Sequence, residues 1–427
     1  MEGEVRSMRA LLCVVTVALV VVGCGRGDRG PAPQSSDYRL YAATSTQSAE
    51  LVNVIDTRSH SVIRSLPSGV PSPDWAHLYA VSNRTLFDLD PQTGASRHSL
   101  RLPGPFLLPP ATISGLPGGL SQNGQWLVVQ AFDNNDAGLP TATHFLVVDT
   151  SYKSAAKRVD MPGYFQFDAV SNDGNRIYLI EYLSSTNYRV RVVDVATGRL
   201  DPQIVVDKSD GNSAMSGLRL SGVPSPDGHW LYSIYIREHQ GAFIHALNLD
   251  GNIAFCIDLP GPGYAASEDG FRWSLALNSA GTRLYAANGA TGLVAELDTS
   301  NGSPAVIRTV HIAASQQAAG ILVPGVEAKS YGASGAVLSP DGQTLVIPAS
   351  RGVVWVETAS LRATGRQLSD WTVWSVAMSP NGTTLYAVSD GGMIAEMSMS
   401  GGHEPTTFAG GPGQPMALIR VEAAQAP

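Results

Sequence analysis

A four-residue phrase of the form Ser-Pro-Asp-Gly recurs seven times along the chain, with small variations. Its copies begin at Ser72, Ser121, Ser171, Ser225, Asn278, Ser339 and Ser379. The phrase is typical of a type I β-turn, because Ser or Asn accepts a hydrogen bond at the first position, Pro fixes φ at the second and Gly takes a left-handed conformation at the fourth. The first copy ends in Trp75 instead of Gly, so we expect that turn to close differently.

The residues after each turn keep a constant register. Three positions beyond the turn stands Leu or Ile, followed by Tyr or Val, and an eighth such pair, Leu40-Tyr41, has no turn before it. The pairs that follow the turns are Leu78-Tyr79, Leu127-Val128, Ile177-Tyr178, Leu231-Tyr232, Leu284-Tyr285, Leu345-Val346 and Leu385-Tyr386. Further short strand patterns lie between the pairs, which gives four short strands per repeat. This arrangement predicts an all-β fold, a β-propeller of four-stranded antiparallel blades.

The repeats resemble those of the YVTN-type and lactonase-like bacterial β-propellers. The resemblance is carried by Leu284-Tyr285-Ala286-Ala287-Asn288, by the turn at Asp298-Thr299 and by the Ser-Pro-Asp-Gly phrase, and it covers roughly residues 38–421. It implies the fold. It does not select an activity, since propellers carry many functions.

Counting repeats predicts eight blades, with seven as the alternative and an open sandwich or two smaller domains as the other architectures. The first repeat lacks an inner strand, and the C-terminal segment from Gln414 to Val421 resembles an inner strand without a blade. Joining the two would close the ring and cover both sheet edges. We therefore expect the propeller at residues 38–421 and a short tail at residues 422–427.

The N-terminus has the pattern of an export signal. Arg6 and Arg9 precede an apolar run from Ala10 to Val22, which is short for a membrane span. The run ends in Val21-Val22-Gly23-Cys24, which resembles the lipobox of bacterial lipoproteins. The resemblance implies a signal peptide at residues 1–23, lipid on Cys24 and a flexible linker at residues 24–37, so that the domain is anchored to a membrane outside the cytoplasm.

Charge and cysteine content limit the partners. The net charge is −8 and charged residues make up 15% of the chain, with no basic cluster, so a nucleic-acid partner is not expected. Cys13 and Cys24 belong to the N-terminal segment, which leaves Cys256 alone in the domain and permits no internal disulfide. No motif indicates a cofactor or a metal, and we expect a monomer.

The connections that vary most in length fall into two classes: those between blades and those between the second and third strands of a blade. Because strands alternate in direction, both classes should lie on one side of the disc, and variable loops on a rigid scaffold commonly bind ligands. The alternative explanation is that these loops differ in length only because no structural constraint has kept their lengths from drifting. The candidate binding residues on this side are Tyr264, Arg272, Trp273, Lys329, Tyr331, Arg351, Trp371 and Trp374.

We find no sequence signature of catalysis, neither a Gly-x-Ser-x-Gly elbow nor a His-Glu-x-x-His helix, and we assign no catalytic residue. The sequence therefore predicts a binding or interaction module at the cell envelope, whose partner is another envelope protein, a peptide or a glycan. The alternative is a hydrolase, lactonase or lyase with a site assembled around the central channel. Converging His and carboxylates in the channel would favour an enzyme, and an apolar or Ser- and Gly-lined channel would favour binding.

The lipid anchor can be tested directly. Changing Cys24 to Ser removes the thiol that would carry the lipid, so we expect the protein to leave the membrane fraction or to remain unprocessed. Fractionation of cells with detection of the protein measures this. Membrane retention of the variant with a normally cleaved N-terminus would contradict the assignment.

Overall fold

The structure is a computed structural model, and it describes residues 37–184, 187–207, 215–301, 304–312, 335–401 and 403–424. Cys24, the predicted signal peptide and nearly all of the predicted linker lie outside the described residues, as do Lys329 and Tyr331. Within the described part of the chain no helix is long and apolar enough to cross a membrane.

The described strands form eight sheets, which are the blades of a β-propeller, and all their strand pairs are antiparallel except the short parallel pairing of Val206–Asp207 with Ile253–Asp258. The predicted count of eight is confirmed, and the alternative of seven is not. Blades are numbered here in chain order. Blade 1 contains Tyr38–Ser45, Glu50–Asp56, Ser61–Pro67 and the C-terminal Gln414–Ala423, and blade 2 contains Val70–Pro71, Leu78–Ser82, Thr85–Leu89 and Ser96–Arg101.

Blades 3 to 5 are the least regular. Blade 3 contains Trp126–Asn134, Pro140–Asp149 and Lys157–Pro162; blade 4 contains Phe165–Val170, Arg176–Tyr182, Asn187–Asp194, Arg199–Leu200 and Met215–Ser216; blade 5 contains Leu218–Pro224, Trp230–Ile236, Ala242–Asn248, Ile253–Asp258 and Val206–Asp207. In blade 3 the inner position is taken by a segment around Leu120, which pairs with Leu127 through an isolated bridge.

Blades 6 to 8 each have four strands. Blade 6 contains Trp273–Leu277, Arg283–Asn288, Leu293–Asp298 and Ala305–His311, preceded by the 3₁₀-helix Glu268–Arg272; blade 7 contains Val337–Leu338, Thr344–Ala349, Gly352–Glu357 and Arg362–Gln367; blade 8 contains Val373–Met378, Thr384–Ser389, Met393–Ser398 and Thr406–Ala409.

The constant register of the repeats within this chain is explained by burial of both faces of each sheet. Adjacent residues of a strand point to opposite faces, and each blade face is covered by the next blade. Both members are therefore buried in every pair except Leu231-Tyr232, where Leu231 is partly exposed: Leu40 and Tyr41 are 0% exposed, and Leu385 and Tyr386 are also 0% exposed. Alternation of polar and apolar residues is consequently weak in these strands.

The repeated turns close as the sequence predicts. In the copy at Ser225, Gly228 donates to the Ser225 carbonyl at 2.9 Å and Trp230 N–H donates to the Ser225 hydroxyl at 2.9 Å. Gly228 has a φ of 72°, in the left-handed region. A Cβ on Gly281 or Gly382 would lie within 3 Å of the turn proline of the preceding blade, so these turns pack against one another around one end of the ring.

The expectation that the turn at Trp75 closes differently is wrong. Trp75 adopts the same left-handed conformation, with a φ of 59°, and its N–H donates to the Ser72 carbonyl at 2.9 Å. The preceding blade, blade 1, has no turn phrase, so no proline occupies the neighbouring space. The indole fills that space: it is 5% exposed, its ring centroid lies 4.8 Å from that of Tyr41, and the Arg420 guanidinium lies 5.1 Å from it.

The C-terminal strand closes the ring, as the sequence predicts. Gln414–Ala423 pairs antiparallel with Tyr38–Ser45 from Tyr38↔Ala423 to Ser45↔Gln414. Ala424 N–H also donates to the Asp37 carbonyl at 2.7 Å. The last strand thus extends to Ala423, two residues past the boundary expected from the sequence.

Deleting residues 414–427 should destabilise the whole ring. The deletion removes buried side chains, including Leu418 at 8% exposed and Val421 at 6%, and leaves the ladder of Tyr38–Ser45 open. We expect a loss of at least about 4 kcal/mol in the free energy of unfolding, measured by urea denaturation. A control that lacks only residues 425–427 should unfold like the intact protein, and equal stability of both truncations would contradict ring closure by this strand.

Candidate binding face and channel

Where the structure describes them, both variable classes of connection lie on one side of the disc, named here the loop face. In each of four cases, a residue shortly before an inner strand is hydrogen-bonded to the turn between the second and third strands of the same blade or of the preceding blade. The pairs are Tyr264 N to Arg237 O at 3.0 Å, Gly289 N to Arg272 O at 3.0 Å, Gly352 N to Trp371 O at 2.7 Å and Asp390 N to Thr372 O at 2.9 Å. The opposite side, which holds the Ser-Pro-Asp-Gly turns, is named the turn face.

Arg272 and Trp374 form a contact between blades 6 and 8. The Arg272 guanidinium lies 5.0 Å from the Trp374 ring centroid and donates to the Val373 carbonyl at 2.6 Å. Burial lowers the pKa of Arg272, and the attraction of Asp390 and Asp269 offsets only part of that effect. The guanidinium is therefore a poorly hydrated cation stacked on an aromatic ring.

A backbone irregularity positions Trp374. The pairing of Val373–Met378 with Thr384–Ser389 shifts register between Val373 and Ser375, which leaves Trp374 as the extra residue of a β-bulge. Bulges re-aim side chains and are common beside functional sites. The same shift occurs in blade 4, where Asp168 is the extra residue.

The other candidate residues separate into surface and core. Arg351 is exposed, and Tyr264 and Trp371 are partly buried, with Tyr264 packing on Phe271 at 5.6 Å between ring centroids. Trp273 is 4% exposed and belongs to the core between blades 5 and 6. We therefore exclude Trp273 from the candidate surface, although its chain neighbour Arg272 remains in it.

A second aromatic group lies on the loop face at blades 3 and 4, where the sequence analysis singled out no residue. The Tyr164 and Tyr182 rings stack with centroids 4.8 Å apart, and Phe132 meets Tyr164 edge-on at 5.7 Å. Gln166 connects the two tyrosines, since its amide nitrogen donates to the Tyr164 hydroxyl oxygen at 2.8 Å and its amide oxygen accepts from Tyr182 at 3.0 Å. Exposed Leu139 and Leu183 stand on turns of the same two blades.

The central channel contains a cavity of about 550 Å³. Its wall is formed by inner strands, with Ser221, Gly222, Leu275, Val337 and Ser375 among the lining residues. Arg420 is the one charged side chain among the described residues that line it. The described wall is thus mainly aliphatic, with serine and glycine residues.

The long connection before blade 3 enters the channel. Residues 107–120 form a narrow hairpin: Pro110 pairs with Pro117, and Ala111 N–H donates to the Leu116 carbonyl at 2.7 Å. Near its tip Ile113 N–H donates to the Leu220 carbonyl of blade 5 at 2.9 Å. The sequence predicts that this connection lies on the loop face. In the structure it extends past blades 3 and 4 to contact blade 5, and it narrows the channel.

A buried ion pair lies beneath this hairpin. The Arg219 guanidinium of blade 5 contacts the Asp168 carboxylate of blade 4 and donates to the Pro110 carbonyl at 2.9 Å. Burial lowers the pKa of Arg219, but the attraction of Asp168 and the interactions with Tyr235 and Tyr182 together outweigh it, and the pKa is raised. Two residues in the sequence could have indicated this ion pair. Asp168 is the one carboxylate in the apolar strand Phe165–Val170, and Arg219 is the one arginine in the next inner strand.

Among the described residues, no group of three or more His, Cys, Asp or Glu side chains has an arrangement that could hold a metal ion. His144 lies between Asp133, at 3.0 Å, and Asp160, at 2.5 Å, on the loop-face side of blade 3. Burial lowers the pKa of His144, but the hydrogen bonds with the two carboxylates outweigh it and raise the pKa. Cys256 contacts His245 within blade 5, with Sγ 3.7 Å from Nδ1.

Comparison with known proteins supports the class of fold. No family model matches the chain, and no curated protein matches its sequence. Among solved structures, the dihydro-heme d1 dehydrogenase NirN in complex with DHE is 14% identical, with 92% of this chain and 76% of that chain covered and a TM-score of 0.53. Apo AztD from Citrobacter koseri is 13% identical, with 91% and 98% covered and a TM-score of 0.51.

The periplasmic gluconolactonase PpgL of Pseudomonas aeruginosa also matches, at 19% identity over 90% of this chain and 99% of that chain, with a TM-score of 0.44. At 13–14% identity, the likeness to NirN and to AztD shows the fold alone. The chain is a β-propeller.

The contact between Arg272 and Trp374 should contribute to stability. Replacing Arg272 with Met keeps the apolar stem but removes the charged hydrogen bond to Val373 and the cation–π contact. We expect a loss of about 2 kcal/mol in the free energy of unfolding, measured by urea denaturation. The matched control is Arg362→Met on the exposed outer strand of blade 7, expected to cost less than about 0.5 kcal/mol. Equal effects would show that the contact between blades 6 and 8 contributes nothing.

Proposed function

We propose that this chain is a lipid-anchored, extracytoplasmic β-propeller that binds a partner at the cell envelope through its loop face. The observation that carries the proposal is the difference between the two faces. The turn face is built from one repeated turn, whereas the loop face presents aromatic and cationic side chains from several blades, among them Arg272 stacked on Trp374. Rigid scaffolds commonly place their recognition residues on such variable connections.

The chemistry of the loop face suits a polar or anionic partner. Aromatic residues and arginine are enriched at the centres of protein interfaces because they combine large apolar area with directed hydrogen bonds. Arg351 is exposed, and Trp371 and Trp374 are partly buried beside it in blades 7 and 8. Such a rim accommodates an extended ligand, so the partner we propose is another envelope protein, a peptide or a glycan.

The channel supports binding rather than hydrolysis. A propeller hydrolase needs groups that transfer protons or hold a metal at the reacting atoms. The described wall of the channel cavity offers serine, glycine and aliphatic side chains, with Arg420 as its charged group. We therefore propose no reaction for this chain.

The proposed lipid anchor would keep the domain at the membrane surface. Lipid on Cys24 would supply more than one acyl chain, which is enough for stable attachment without a membrane-binding patch on the domain. The linker at residues 24–37 would leave the propeller free to present its loop face. A single propeller suffices for this role, in keeping with the proposed monomer.

The proposal can be tested by replacing two tryptophans that are both partly buried but lie on opposite faces of the disc. Trp371 lies on the loop face and Trp230 follows a turn on the turn face, and both are partly buried. The partner is first identified by pull-down from envelope extracts with the intact protein. Trp371→Ala should then reduce capture of that partner at least about tenfold, an effect typical of a central aromatic contact.

Trp230→Ala is the matched control and should leave capture unchanged while lowering stability. Circular dichroism and thermal unfolding confirm that both variants are folded. Loss of capture in Trp230→Ala with full capture in Trp371→Ala would place the interaction on the turn face and contradict the proposal.

A further inference from the structure

A second cavity, of about 210 Å³, lies beneath the hairpin of residues 107–120 and between the inner strands of blades 3, 4 and 5. An engineered cavity of about 150 Å³ in another protein holds benzene, so this volume suits a molecule of roughly six to ten non-hydrogen atoms. The cavity is lined by residues of these three blades, by Val70 of blade 2 and by the prolines of the hairpin, Pro110 and Pro117. Gly222 lines both this cavity and the channel cavity, so the two adjoin.

Two polar groups in the wall have no hydrogen-bond partner among the described residues. The Asp168 side chain is 1% exposed, and its Oδ2 is buried and unpaired while Oδ1 meets Arg219. The Ser233 hydroxyl, on the second strand of blade 5, is also buried and unpaired, in a residue that is 1% exposed. Leaving such a group without a partner costs roughly 1–3 kcal/mol, so each is expected to meet a polar atom inside the cavity.

The charges in the wall select the kind of ligand. Arg219 already balances the negative charge of Asp168 and also donates a hydrogen bond to the Pro110 carbonyl. A cationic ligand would therefore gain little binding free energy from Asp168. An anion would face the unpaired carboxylate oxygen and be repelled. Neutral hydroxyl groups fit both partners, because a hydroxyl can donate to Asp168 Oδ2 and a hydroxyl can accept from Ser233.

Apart from Gln122, the side chains in the rest of the wall are apolar. Phe167, Leu231 and Leu249 line it together with the hairpin prolines and Pro224. The C–H faces of a sugar ring or the carbon chain of a polyol pack well on such surfaces, while their hydroxyl groups need the polar atoms. From the volume, the two unpaired groups and the neutral charge balance, we propose that this cavity is a binding site for a small neutral polyol or monosaccharide.

This site is separate from the loop-face surface of the proposed function, and each can fail without the other. D-xylose serves as the probe, and its binding to the full-length protein is measured by isothermal titration calorimetry. Acetate and ethylammonium are the charged comparisons, and cyclohexanol is the apolar one. We expect saturable millimolar binding of D-xylose that exceeds that of the other three.

The decisive variant is Ser233→Ala, which keeps the ion pair of Asp168 and Arg219 and removes one hydrogen bond to the ligand. It should weaken D-xylose binding roughly three- to tenfold. The matched control is Ser274→Ala: Ser274 is equally buried, but its hydroxyl donates to the Ala287 carbonyl at 3.2 Å and it is not among the residues lining the cavity. That control should bind D-xylose like the unchanged protein.

A crystal structure with D-xylose provides a readout that does not depend on affinity, and it should show a sugar hydroxyl within hydrogen-bond distance of Asp168 Oδ2. A cavity that holds only ordered water, with no saturable binding of D-xylose, would overturn the proposal. So would preferential binding of ethylammonium or acetate, or equal affinity of the Ser233→Ala variant.

Discussion

The pairing of Tyr38–Ser45 with Gln414–Ala423 is the interaction on which the rest of the structure depends. A sheet edge left open presents unpaired backbone groups, and a ring of blades has such an edge until its last strand meets its first. Here the strand from the C-terminus becomes the inner strand of blade 1. Both ends of the described chain are therefore held in one sheet, and the fold becomes a single closed unit.

Closure has a visible consequence at the neighbouring blade. Elsewhere around the ring, a turn glycine often packs against the turn of the preceding blade, as Gly382 does against Pro340. Blade 1 has no such turn, because its inner and second strands are the two ends of the propeller. Trp75 fills the space in a left-handed conformation that costs a non-glycine residue about 1 kcal/mol, an amount that burial of the indole exceeds.

The closed ring also brings together residues that are distant in sequence. Arg272 meets Trp374, Ile113 meets Leu220 and Asp168 meets Arg219 across different blades. Two of these contacts depend on β-bulges in inner strands, which turn Trp374 and Asp168 out of the regular alternation. The loop face and the two cavities are thus built by local irregularities on an otherwise regular scaffold.

The sequence predicts the regular part well and the irregular part poorly, for physical reasons. The turn phrases and the buried pairs, such as Leu284-Tyr285, are local signals, and they were enough for the number of blades and for ring closure. The sequence places Trp273 on the binding face, but it is buried, because it begins the inner strand of blade 6 and packs into the core between blades 5 and 6. The hairpin of residues 107–120 and the ion pair of Asp168 and Arg219 depend on contacts between blades, which no local pattern encodes.

Amide hydrogen exchange along the two closing strands tests the central claim, that the chain forms one closed ring. In a closed ring, the amides of Leu40 to Ala43 and of Leu418 to Val421 can exchange only when the whole propeller unfolds. Their protection should therefore equal that of the buried strand Trp230–Ile236 on the other side of the ring and should respond to urea in the same way. Rapid exchange in both closing strands, with protection kept in blade 5, would show an open ring and contradict the account.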